Sequence, residues 1–351
     1  MDLEIALLLA QDGVANGAIY VLAAIGLVLI FAVTRVVFVP FGDISAYAAL
    51  SQAALQSGQL PGTVHLIMTL AGLATFMEVA TLARNRELHR IPRALLWYLV
   101  VPMAPVLLTF AVAGQPLPLA LEIAVTLALV LPIGPLLYRI AFRPLADAPV
   151  LVLLIVAVAL HFAVSGLALL FFGPEGQRTR PIFRGSVDML GTSINAQTLL
   201  IVGASVVFSI LLYLFFDRTL TGKALRATAI NRVGARLVGI RPTMTAAIAF
   251  FVSSVIAGVS GILIGPVTTL YYDSGFIIGL KAFVGAILGG LVSYPLAALG
   301  ALFVGLLESY ASFWNSSMKE VVVFSLLIPV LLWRSLAAPQ TEEEDDEEVE
   351  K

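Results

Sequence analysis

The chain alternates long apolar runs with short polar intervals. The runs fall at about 13–34, 43–58, 64–83, 94–113, 119–141, 149–172, 196–216, 243–270, 276–292, 295–313 and 319–334. Leu, Val, Ala and Ile fill them, with Gly and Pro interspersed. That is the pattern of membrane-crossing helices, not the two-residue alternation of a membrane β-strand. The runs at 43–58 and 276–292 are short for the roughly 20 residues a crossing needs. The pattern predicts an all-α integral membrane protein, a polytopic helical bundle of about 9–11 segments, with short and broken helices lining a translocation path. One break is legible in VVFVPFGDISAYAAL, interrupted at Pro40 and Gly42 and restarting with Asp43 as its N-cap. Non-helical backbone at membrane depth is tolerated only against protein or a water-filled cavity.

The longest polar interval, 217–242, reads DRTLTGKALRATAINRVGARLVGIRP and holds six of the twenty Lys and Arg: Arg218, Lys223, Arg226, Arg232, Arg236 and Arg241. Leu225, Ala229, Val233 and Leu237 recur every four residues, along one face of a short helix. Gly222 and the run Gly239 to Pro242 bracket it with breaker signals. Such a helix either lies solvated against anionic headgroups or docks a cytoplasmic partner, and pattern alone leaves both open.

If 217–242 is cytoplasmic, alternating crossings place 84–93, Arg139, Arg143, Arg35 and Arg334 inside as well. Fourteen cations then lie inside and four outside (Arg178, Arg180, Arg184, Lys319), with Lys281 within a membrane segment. The bias predicts an N-terminus outside and a cytoplasmic C-terminus. The outer loop at 173–195 is long enough to pack over a pore mouth or touch an external partner.

Polar residues inside the runs are costly and therefore informative. The first run carries Asn16 and Tyr20, and its Gly13-xxx-Gly17 spacing suits close helix approach. The segment around Lys281 combines shortness with Gly285, Gly289 and Gly290, the bottom-up pointer to a translocation path. Helix packing is the alternative for each glycine. Asn16, Tyr20, Asp43, Lys281, Gly285, Gly289 and Gly290 are the substrate-path candidates. Glu308 is a candidate partner for Lys281. Glu78 and Glu122 either face partner groups or have a functional role.

Composition agrees with the class: 60% hydrophobic and 12% charged residues, with a mean hydropathy of +1.01, far from a soluble domain. The chain has no cysteine, which excludes disulfides and thiolate chemistry. His65, His89 and His161 are too scattered to suggest a metal cluster. Gly222-Lys223 lacks the upstream glycine of a P-loop, and no metalloprotease, nucleophile-elbow or dinucleotide motif occurs. No catalytic residue, metal or cofactor is expected. The acidic start, MDLEIALLLAQDG, reads as uncleaved. The net charge of −2 comes from the tail at 341–351, TEEEDDEEVEK; without it 19 cations face 14 acids, a net of +5. That tail reads as a disordered, solubilising terminus.

Several stretches together resemble one family. They are NGAIYVLAAIGLVLIFAVTRVV, Arg143-Pro144-Leu145 with the segment ending Phe172-Gly173-Pro174, GKALRATAINRVGARLVGI, GLKAFVGAILGGLVSYPLAALGALFVGLLES and KEVVVFSLLIPVLLWR. In this order they are similar to the permeases of branched-chain amino acid ABC transporters, LivH type. The resemblance implies a permease domain over 1–340, translocating branched-chain amino acids or related small solutes across the inner membrane. It implies as partners a second homologous permease, cytoplasmic ABC ATPases and an extracytoplasmic solute-binding protein. It also makes 217–242 a coupling loop, with Gly222, Leu225, Arg226, Ala229, Val233, Arg236 and Leu237 as its ATPase-coupling residues. Two departures stand out. The family's Asn-Phe-Ala-His-Gly run is replaced by Phe38-Val39-Pro40-Phe41-Gly42, so the His position holds Phe41. Residues 60–118 have no counterpart and read as an extra helical hairpin. A gradient-coupled carrier using Glu78, Glu122 or Glu308, or a membrane scaffold without transport, are the alternative readings.

Overall fold

The computed structural model describes residues 3–337 apart from 147, 190, 191 and 292. The acidic tail, and residues 338–340 at the end of the expected permease domain, lie outside the described residues. In chain order the helices are α1 (Leu3–Thr34), α2 (Phe41–Gln56), α3 (Thr63–Arg84), α4 (Leu88–Val112), α5 (Leu119–Leu145), α6 (Val150–Phe172), α7 (Ala196–Arg218), α8 (Leu220–Ile230) and α9 (Arg232–Leu237). They continue with α10 (Pro242–Ile264), α11 (Ser274–Leu288), α12 (Tyr294–Trp314), α13 (Lys319–Ser325) and α14 (Leu327–Ala337). A small antiparallel hairpin, β1 (Ser186–Met189) with β2 (Thr192–Asn195), precedes α7. Among the described residues eight helices are long and apolar enough to cross a membrane, and α11 is a shorter apolar one.

The last expected segment is two helices. Pro329 has no N–H to give the Ser325 carbonyl and its ring crowds that turn, so the helix breaks at Leu326.

The most apolar window of α1 is 83% buried, against 17% for that of α4, so α1 is the hub and α4 the most exposed of the long apolar helices. α1 packs along α12, α10, α11 and α7. The Gly13-xxx-Gly17 spacing does what its sequence suggests. A Cβ on Gly13 would lie 2.8 Å from Leu306 Cα, and one on Gly305 would lie 2.3 Å from Gly17 N, so the backbones of α1 and α12 touch.

α3 and α4, the hairpin expected at 60–118, lie to the side, with α3 against α5 and α6. The Ser51 and Thr63 hydroxyls hydrogen-bond to each other and tie α3 to α2. At that end of the molecule the 173–195 loop is docked rather than loose. Arg180 donates its backbone N–H to Gln56 Oε1 (2.8 Å), and Arg178 donates to the carbonyls of Pro266 (2.9 Å) and Val267 (3.0 Å). Arg35, the 143–149 segment, α8, α9 and the start of α12 gather at the opposite end.

Candidate functional site

The restart after Pro40 differs from its sequence reading. Pro40 itself occupies the N-cap position (φ −65°, ψ 0°) and α2 begins at Phe41. Asp43 therefore sits inside the first turn, where the helix dipole favours a carboxylate, and its side chain is free to reach sideways. It reaches His161 on α6, whose Nδ1 lies 2.7 Å from Asp43 Oδ2. The imidazole stacks on Phe276 of α11, centroids 4.6 Å apart. Asp43 Oδ1 is buried and accepts no hydrogen bond from the described residues. Phe41 is fully buried with its ring over Gly26 of α1, where a Cβ would come within 2.3 Å of Cε2. The buried imidazole beside Asp43 thus comes from α6.

A second cluster lies one and a half turns along α11. Lys281 Nζ donates to Glu308 Oε1 of α12 (2.6 Å), and Tyr20 of α1 donates its hydroxyl to Oε2 (2.7 Å). Lys319 Nζ stands 4.0 Å from Oε1. Lys281 and Glu308 are both buried, and the hydroxyl supplies the extra hydrogen bond a desolvated pair requires. The pairing suggested by the sequence is present. Of the other path candidates, Asn16 is half-buried on α1, one turn before Tyr20. Gly285 and Gly289 face α12, where a Cβ would lie 2.5 Å from Ala301 Cα and 2.1 Å from Ala297 N. Gly290 closes α11 with φ +84°. The structure brings Tyr20 and Lys281 together, sets Asp43 beside the other end of α11, and gives Gly285 and Gly289 a packing role.

Half-buried Glu78 and buried Glu122 also have partners. Glu78 accepts from Arg139 and from Arg143 Nη1 (3.0 Å), and Glu122 accepts from Gln56 Nε2 (3.2 Å).

The 217–242 interval forms two helices rather than one. Thr219 Oγ1 accepts from Gly222 N–H (2.9 Å) and caps α8. Asn231, extended at φ −148°, accepts from Gly234 N–H (2.8 Å) and caps α9. This cap interrupts the four-residue face expected from the sequence. Gly222, Leu225 and Thr228 point inward and are buried, with a Cβ on Gly222 only 2.1 Å from the Phe215 carbonyl. Ala229, Val233 and Leu237 instead point outward. Leu220, Ile230, Val233, Leu237 and Val238 are each exposed on this unit, as are Arg226 and Arg236. Arg232 anchors the unit by donating to the Ala146 carbonyl (2.8 Å).

Sequence reasoning missed His161. The signal was there, as a lone ionisable residue in the middle of VLVLLIVAVALHFAVSGLALLFF, and an intramembrane ionisable group is a site candidate by default.

The family model described as "Branched-chain amino acid transport system / permease component" matches residues 9–331. The high-affinity branched-chain amino acid transport system permease protein BraD of Pseudomonas aeruginosa is 31% identical over 214 residues, 58% of this chain and 70% of BraD. LivH of Escherichia coli K12, a protein of the same description, is 31% identical over 203 residues, 55% of this chain and 65% of LivH, just under two thirds. A probable LivH of Methanocaldococcus jannaschii is 31% identical over 106 residues, 30% of this chain and 34% of its own. No solved structure matches the chain.

Proposed function

The chain belongs to the branched-chain amino acid transport system permease family, and from that premise we propose that it is the translocating subunit of an ABC importer for branched-chain amino acids or related small solutes. In this reading it sits in the inner membrane with its N-terminus outside and its C-terminus cytoplasmic. It pairs with a second homologous permease, receives solute from an external binding protein at the 173–195 end, and is driven by cytoplasmic ATPases. The chain itself performs no covalent chemistry.

The observation that carries this reading is the surface of α8 and α9. Five large apolar side chains stand exposed beyond the spans, among arginines, on a unit packed against α7 and anchored to the 143–149 segment. A solvated loop has no use for such a surface, whereas a partner helix groove covers it, and the arginines orient the encounter. Tilting of this unit by a nucleotide-driven partner is transmitted to α7 through the close turn at Gly222.

The alternative of a lone gradient-coupled carrier is less well supported, because Glu78, Glu122 and Glu308 each have a protein partner.

The test is substitution of Val233 and Leu237 by Asp, followed by uptake assays and recovery of co-purifying ATPase. We expect normal insertion with loss of both uptake and the ATPase. Full uptake by the variants sinks the docking assignment. Leu225→Asp is the contrast: it places a charge in a fully buried position and lowers the amount of folded protein instead.

A further inference from the structure

We propose that the end of the α3–α4 hairpin holds a binding site for the phosphate headgroup of an anionic membrane lipid. An open pocket of about 300 Å³ lies where α3 ends and α4 begins, with Asn85, Arg90, Arg93, Trp97 and Arg143 in its wall. It is independent of the surface assigned to ATPase docking.

The charge arrangement suits a phosphate. Glu78 and Glu87 also line the pocket, but both are engaged: Glu87 by Arg90 (2.8 Å), Glu78 by Arg139 and Arg143. Arg139 adds a cation from behind the wall, and Arg84 and Arg86 add two more on the adjoining exposed turn. Cations therefore outnumber carboxylates around the opening. Arg93 and Asn85 make no side-chain hydrogen bond or ion pair among the described residues and offer donors to the pocket. Planar guanidinium donors match phosphate oxygens in pairs.

The backbone is specialised at the same place. A single π-helical turn interrupts α4 at Leu96–Val100, and another interrupts α5 at Tyr138–Phe142. The two meet where Arg139 of the second, itself bonded to Glu78, lies over Tyr98 of the first. Tyr98 from the first receives a hydrogen bond from Arg143 (3.3 Å) and lies under Arg139, 6.0 Å from ring centroid to guanidinium carbon. π-turns are rare, and single ones recur at functional sites. Arg143, directly after the second turn and partly exposed, lines the pocket.

Apolar surface selects a lipid over a soluble anion. Trp97 is 58% exposed, and Leu96, Val100 and Val101 continue the exposed apolar surface along α4 away from the pocket. A headgroup bound by Arg93 and Arg143 leaves its acyl chains along that surface. An amphipathic Trp at this level suits the membrane–water boundary, and basic pockets between helices at such a boundary attract anionic headgroups.

The test is native mass spectrometry of the full chain, purified in mild detergent with whatever partners accompany it. Phosphatidylglycerol, phosphatidylcholine and inorganic phosphate are offered separately. We expect saturable retention of phosphatidylglycerol, several-fold above phosphatidylcholine. Arg93→Glu, at an exposed position without partners, should lower that retention about tenfold, while Arg218→Glu, at the exposed end of α7, leaves it unchanged. Equal retention of the two lipids, an unaltered Arg93→Glu, or an equal loss in Arg218→Glu overturns the proposal. Displacement of phosphatidylglycerol by millimolar inorganic phosphate alone also overturns it, in favour of a soluble-anion site.

Discussion

Gly42 and Gly275 bring the two short helices into backbone contact: a Cβ on Gly42 would lie 1.9 Å from the Gly275 carbonyl oxygen. One turn further, a Cβ on Gly279 would lie 3.4 Å from Gly42 N, so the close approach continues. This junction of α2 and α11 is what sets Asp43 beside Phe276 and His161. It predicts that Gly42→Ala forces the helices apart and costs about 1–3 kcal/mol. Gly72→Ala, on an open face of α3, should leave thermal denaturation in detergent unchanged. Equal melting temperatures for the two variants would contradict the junction.

The Lys281–Glu308 pair predicts a non-additive cycle. Lys281→Met or Glu308→Leu alone leaves one buried charge without its partner and should cost about 3–5 kcal/mol. The double variant should recover part of that loss, because an apolar pair of similar volume replaces both charges while the buried Tyr20 hydroxyl loses its acceptor. Chemical denaturation of the four proteins measures the coupling, and additive losses would refute it.

His161 and Asp43 lead to a different expectation. His161→Phe keeps the stacking on Phe276 but removes the partner of Asp43 Oδ2, stranding a carboxyl group that is 1% exposed. Adding Asp43→Leu removes the stranded group and should restore the fraction surviving a heat challenge on size-exclusion chromatography. If the single variant survives as well as the parent, the pair has no structural role, and its contribution to uptake is then read directly.

The orientation is testable because the parent chain has no cysteine. Glu175→Cys, in the loop docked over α2 and α10, should react with an impermeant maleimide on intact cells. Arg236→Cys, on α9, should react only after permeabilisation. Reversed labelling would invert the assignment of the two ends.

Much of the architecture was legible in one dimension. Spans follow from run length and hydropathy, the α1–α12 contact from Gly13 and Gly17, and the break near Pro40 from the absent proline N–H. Lys281 and Glu308 could be suspected as partners because each is a lone charge in an apolar run. Asn231 was a weaker signal. A strong cap residue in the middle of a four-residue repeat stops the helix, and that stop turns Val233 and Leu237 outward while Leu225 stays in. The pattern of apolar spacing took no account of it.

By itself, the sequence determined what each segment must avoid: long apolar helices need lipid or protein, and lone charges need partners. Only the tertiary structure decided which partner each charge meets. Asp43 and His161 are 118 positions apart, and Glu78 finds Arg139 and Arg143 across α3 and α5. Helix rotation and backbone approach at glycines set those meetings. They depend on the packing of all neighbouring helices at once, so no local spacing encodes them.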